Sequence, residues 1–145
     1  MTLRFPVFRP LDQFALAAIV RGLVEGLDLA SAAAQALQLL EGWPRSGPTP
    51  AALSAALAPG ASVPGLGEGW VGEEALAIGV HAALVTDGYE DAVRLASNHD
   101  GDSDSTASIA GQLVGAWRGA GVVPEAWAEG LDCGVELTKL ARQLA

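Results

Sequence analysis

The chain is poor in the residues that would place it in several common classes. It has a single cysteine, Cys133, so it can form no internal disulfide, and a reducing compartment is expected. Basic residues are scarce: 8 Lys and Arg against 17 Asp and Glu leave a net charge of −9. So acidic a surface repels phosphate backbones, which argues against a nucleic-acid partner. Long apolar runs are also lacking. The longest near-continuous one, residues 14–20, stops at Arg21 and is too short to cross ~30 Å of hydrocarbon, so no membrane partner is expected. In the N-terminal extension, residues 1–10, Pro6 and Pro10 interrupt what would be the apolar part of a secretory signal. What remains is 145 residues, half of them hydrophobic. That is one domain, residues 1–145, able to bury roughly two-thirds of its unfolded surface. Cytoplasmic localisation is the matching expectation.

Alanine and leucine dominate, while β-branched and aromatic residues are few, which favours helix. Leu16, Ile19, Val20, Leu23 and Val24 form one apolar stripe of a helix over residues 12–25. Leu29, Ala32, Ala33, Ala36, Leu37 and Leu40 repeat the pattern, with Asp28 as N-cap and Gly26 as the stop between the two. Residues 42–70 hold five prolines and read as a long packed loop, broken by one short helix over 51–58 with Thr49 as its cap. Helices resume with Glu73 and Glu74 in a first turn and Leu76, Ala77, Val80 and Leu84 as the buried face. A short helix over 89–97 and a loop over 98–103 precede a helix over 104–119 that should bury Ile109, Leu113 and Trp117. Its glycines, Gly111, Gly115 and Gly119, recur every fourth residue, which predicts another backbone packed against them. Pro124 opens a short helix, and Leu137, Leu140, Ala141 and Leu144 stripe the last one. No strand alternation appears. The fold class is all-α, a compact orthogonal bundle.

The segment Asn98-His99-Asp100-Gly101-Asp102-Ser103-Asp104-Ser105-Thr106 carries three carboxylates at alternate positions with hydroxyls between them. Carboxylates so close repel one another unless a cation lies between, and hard divalent ions take such oxygen ligands. Two plainer readings stand beside this one. One of Ser103, Asp104 or Ser105 caps the following helix, and the stretch is also a solvated turn. An EF-hand is excluded, because position 6 counted from Asp100 is Ser105 and position 12 is Gly111. Without a cation, at least one of these carboxyl pKa values is expected to rise.

These residues, with Val71-Gly72-Glu73-Glu74-Ala75-Leu76-Ala77, Glu90-Asp91-Ala92-Val93, Ile109-Ala110-Gly111 and Val123-Pro124-Glu125-Ala126-Trp127, resemble the C-terminal half of the ADP-ribosylglycohydrolases. The likeness runs over residues 11–145, and its most specific element is Gly101-Asp102-Ser103-Asp104-Ser105. Members of that family remove ADP-ribose from dinitrogenase reductase and from modified arginine or serine. They are all-α and hold a dinuclear Mg²⁺ or Mn²⁺ centre. The resemblance implies that Asp102, Asp104 and Ser105 are metal ligands and that the substrate is ADP-ribose or an ADP-ribosylated protein. It also implies what this sequence lacks: a Gly-Asp-Ala segment and a Thr/Ser-Asp-Asp-Thr motif, which supply the remaining ligands and the catalytic carboxylate. No catalytic residue is therefore assigned. The expectation is a metal-dependent hydrolase of the ADP-ribosyl glycosidic bond that needs an N-terminal half, acting as a homo-oligomer or beside a complementary chain. The alternative is an inactive remnant serving as a binding or interaction module.

Three further residues matter at the site. Gly101 belongs to the substrate-binding loop by resemblance, and Asp100 stands where glycine is common. His99 either bonds a ligand carboxylate or phosphate or shapes the loop. Trp70 either stacks on adenine or ribose or packs in the core. His81 reads as a satisfied packing residue and Cys133 as inert.

Overall fold

The computed structural model describes residues 11–43 and 46–144, so the N-terminal extension lies outside the described residues. Among those described, the chain is all-α, with no strand. The helices are α1 (Leu11–Val24), α2 (Leu29–Glu41), α3 (Thr49–Leu57), α4 (Val63–Leu66), α5 (Gly72–Val85) and α6 (Tyr89–Ser97). They are followed by α7 (Ser103–Arg118), a 3-10 turn (Ala120–Val122), α8 (Glu125–Glu129) and α9 (Gly134–Leu144).

α5 is the central element. Every residue from 75 to 83 is buried, and α1, α2, α3, α4, α6 and α7 all pack on it. A helix apolar on all sides must be enclosed in this way. The α1–α2 hairpin forms as the periodicity predicts. Gly26 turns the chain with φ +97°, and Asp28 caps α2 by accepting from the Ser31 amide at 2.9 Å. The buried stripe of α1 is Leu11, Ala15, Ile19, Gly22 and Leu23, so it is rotated from the expected one and leaves Val24 exposed.

Five other expectations are corrected. The proline-rich stretch contains a second helical turn, α4, with Pro64 in its first turn and Val63 and Leu66 buried. Thr49 is not a cap: Pro48 precedes α3, and Thr49 is buried inside it. The glycine row of α7 has no backbone against it. Gly111 faces the Tyr89 ring, Gly115 meets nothing nearby, and Gly119 lies beyond the helix. The close approach to α7 comes from the other side, where a Cβ at Gly79 of α5 would collide with Ile109 and crowd the Ala110 amide nitrogen. On α7, Leu113 is fully buried, whereas Ile109 and Trp117 only pack against the edge of the core. Finally, the α9 stripe is not enclosed: Leu137 and Leu140 are about half exposed.

Candidate functional site

The carboxylate loop lies between α6 and α7 and is fastened from two directions. From inside, Thr106 is fully buried and its hydroxyl reaches the Ala96 carbonyl at 2.6 Å, tying the first turn of α7 to the end of α6. His99 completes this tie. Its Nδ1 accepts from the Gly101 amide at 3.1 Å, which places the proton on Nε2, and Nε2 faces the Thr106 hydroxyl at 3.0 Å. Both ring nitrogens are thus engaged in shaping the loop.

The second fastening comes from the segment before α5. The Asp102 amide donates to the Glu68 carbonyl at 2.8 Å. Residue 101 must be glycine for this contact, because a Cβ there would run into that same carbonyl. The Glu68 segment is held in turn by Glu74, whose Oε2 accepts from the Glu68 and Gly69 amides, each at 3.1 Å. One carboxylate on α5 therefore fixes the backbone that fixes the carboxylate loop. Sequence reading placed Glu74 only as a favourable first-turn charge. Its distance from the loop in sequence hid this role.

The ligand candidates sit on the frame so built. Asp102, and none of the three residues expected, is the N-cap of α7, and its Oδ1 accepts from the Ser105 amide at 3.4 Å. Its carboxyl lies below the ordinary value of 3.8, first through the influence of the neighbouring Asp104 side chain and next through that of the Ser105 side chain. The expected repulsive rise is therefore not what Asp102 shows. Asp104 is exposed and Ser105 half-buried, both in the first turn, where the helix dipole favours negative groups. Asp104 also ends a groove of about 590 Å³ along α7, walled by Tyr89, Val93, Gly111 and Trp127. Trp70 is 66% exposed, so it is not a core residue; its indole N–H donates to Glu68 at 3.2 Å. It stands on the segment that grips the loop.

Two carboxylates and a hydroxyl are oxygen donors of the kind Mg²⁺ and Mn²⁺ take. They suit one side of such a site and do not enclose it, since no group of three His, Cys, Asp or Glu gathers among the described residues.

An all-α bundle presenting an Asp-Ser-Asp-Ser turn at the start of α7 narrows the class, and the sequence comparisons give the family. Residues 13–145 match the ADP-ribosylglycohydrolase model, and the chain belongs to that family. It is 39% identical over 59 residues to the ADP-ribosylarginine hydrolase Tri1 of Serratia proteamaculans (strain 568), covering 41% of this chain and 16% of that protein. The Tri1 of Pseudomonas putida (strain GB-1) is 41% identical over 56 residues, 39% of this chain and 15% of that one. The ADP-ribosyl-[dinitrogen reductase] glycohydrolase of Rhodospirillum rubrum is 37% identical over 57 residues, 39% and 19% of the two. The matched segments thus span less than a fifth of these relatives. No solved structure matches the chain. No described helix is long and apolar enough to cross a membrane.

Proposed function

We propose that this chain supplies one side of the metal-dependent site of an ADP-ribosylglycohydrolase, acting on ADP-ribose linked to protein. The observation that carries this reading is the double fastening of the 98–105 loop, which holds Asp102, Asp104 and Ser105 at the start of α7 by contacts among the chain's own atoms. Their oxygens would hold Mg²⁺ or Mn²⁺. When bound, such ions polarise a water and the ribose hydroxyls for cleavage of a glycosidic bond whose transition state resembles an oxocarbenium ion. The chain's residues do the positioning. Gly101 lets the loop backbone lie on Glu68, His99 locks the turn, and the exposed Trp70 ring offers a face on which adenine or ribose stacks. The remaining ligands and the catalytic carboxylate come from a Gly-Asp-Ala and Asp-Asp-Thr segment that this sequence does not contain. A homo-oligomer or a complementary chain would cover the apolar faces left open.

A second reading, a binding module without turnover, draws on the absence of a third acidic or imidazole ligand among the described residues. The experiment is to incubate the chain with ADP-ribosyl-arginine and Mg²⁺, alone and with a protein segment carrying the two missing motifs. Release of ADP-ribose only in the mixture, lost in Asp104→Ala, is the expected outcome. ADP-ribose binding without release in either case would favour the second reading.

A further inference from the structure

The neighbours of His99 dictate where its ring proton sits. The Gly101 amide can only donate, so Nδ1, 3.1 Å away, must accept. The Thr106 hydroxyl has one proton, and its partners other than the imidazole are carbonyls, which can only accept: Ala96 at 2.6 Å, then Asp102 and Ser103, each at 3.1 Å. Thr106 therefore accepts from the imidazole, and Nε2, 3.0 Å from it, carries the ring proton. From the Gly101 amide through the ring and the Thr106 hydroxyl to a carbonyl, every link runs donor to acceptor. That order exists only for the neutral Nε2–H tautomer. A proton added at Nδ1 sets two N–H groups against each other.

We propose that His99 is an acid-released latch on the 98–101 loop, closed while the ring is neutral and opened when Nδ1 takes a proton. This goes beyond the proposed reaction and needs neither metal nor substrate. The ring is half-buried and borders a cavity of about 840 Å³, so it has somewhere to go. The groups around it favour that movement. Glu68 of the segment before α5, Asp100 of the loop itself and His81 of α5 line the same cavity, and no Lys or Arg does. α6 adds only the neutral Leu95 and Asn98. On the α7 side, Asp102 caps the helix and Asp104 stands in its first turn. An imidazolium is thus repelled by the Gly101 amide in the closed position and attracted by carboxylates outside it. As the pH falls through the histidine range, the Gly101 hydrogen bond is lost. The bond from the Asp102 amide to the Glu68 carbonyl involves no titrating group, so the loosening stops there.

The test is NMR on the whole chain from about pH 8 to about pH 5, a window that spans ordinary histidine titration and stays above the ordinary carboxylate values. At the upper end the His99 ring-nitrogen shifts should identify the Nε2–H tautomer. The protection of the Gly101 amide, measured as exchange relative to a free peptide at the same pH, should fall about tenfold by the lower end, the loss of one hydrogen bond. The Asp102 amide should change by less than about threefold. His99→Asn puts a carbonyl oxygen where Nδ1 stands and cannot titrate, so Gly101 should keep its protection throughout. His81 is untouched in that variant, which separates the two histidines. If His99→Asn does not fold, the ring shifts and amide exchange of the parent decide. An Nδ1–H tautomer at pH 8 would overturn the proposal. So would Gly101 protection that changes by less than about threefold in the parent, or the same acid loss in His99→Asn.

Discussion

Two stretches of this molecule carry comparable apolar patterns and meet opposite fates. In α5–α7 the apolar residues are enclosed, and the polar residues of the loop between α6 and α7 bond to one another and to the segment before α5. In α9 and the turn before it, Leu131, Val135, Leu137 and Leu140 are about half exposed or more, and neither α8 nor α9 packs extensively on the bundle. Periodicity tells which face of a helix is apolar. It does not tell whether anything within the chain covers that face. The site loop is therefore a product of the closed half, and the apolar side chains of the open half are left uncovered by the described residues.

The sharpest way to break this contrast is truncation of one leucine in each half. Leu113→Ala, in a fully buried position of α7, should cost about 2–5 kcal/mol by denaturant unfolding. Leu140→Ala, 52% exposed on α9, should stay within about 0.5 kcal/mol. Equal losses would mean that α9 is packed as tightly as α7. Next in size is Gly101→Ala. The added methyl collides with the Glu68 carbonyl, which should cost about 1–3 kcal/mol and speed hydrogen exchange of the Asp102 amide. Exchange unchanged at Asp102 would show that the two segments are not fastened there. Glu74→Ala removes the acceptor of two amide hydrogen bonds and should cost about 1–2 kcal/mol. Its exchange effect should fall on Glu68 and Gly69 rather than on α9.

The smallest effect concerns the hairpin. The Asp28 carboxyl is held below its ordinary value of 3.8, chiefly by the Ser31 hydroxyl and then the Ser31 amide. A depressed folded-state pKa means that this contribution is present above the ordinary carboxylate value and is lost as the pH falls through the lower, folded value. Asp28→Asn should therefore flatten the acid side of the melting-temperature profile below about pH 4 and leave neutral melts almost unchanged. A parallel downward displacement at every pH would assign the cap a role without charge.

The all-α class, the α1–α2 hairpin with its Asp28 cap, and the order of helices from α5 onward were legible because they rest on local spacing and capping chemistry. The helix α4 was not, since Pro64 and two glycines mask a turn that exists because Val63 and Leu66 find the core. The Asp102–Ser105 motif could be read from the chain, but its support could not. Glu74 and Glu68 lie some thirty residues away, and only folding brings their backbone contact to Gly101. For Trp70 the exposed ring removes the core alternative, and His81 is buried as a packing residue is, although it makes no hydrogen bond to a described residue. Periodicity carries no signal for these edges of the fold.

The central claim is that the loop is held by the chain's own packing while its donor set is only one side of a metal site. Thermal melts with and without about 10 mM Mg²⁺ test it directly, the concentration exceeding weak millimolar affinities. The account predicts curves that differ by less than about 2 °C, because a ligand stabilises only in proportion to the logarithm of its saturation. Asp102→Ala should melt slightly lower through loss of the α7 cap, with or without the ion. A large Mg²⁺-dependent stabilisation that disappears in Asp102→Ala would contradict the account and mean that the site is already complete.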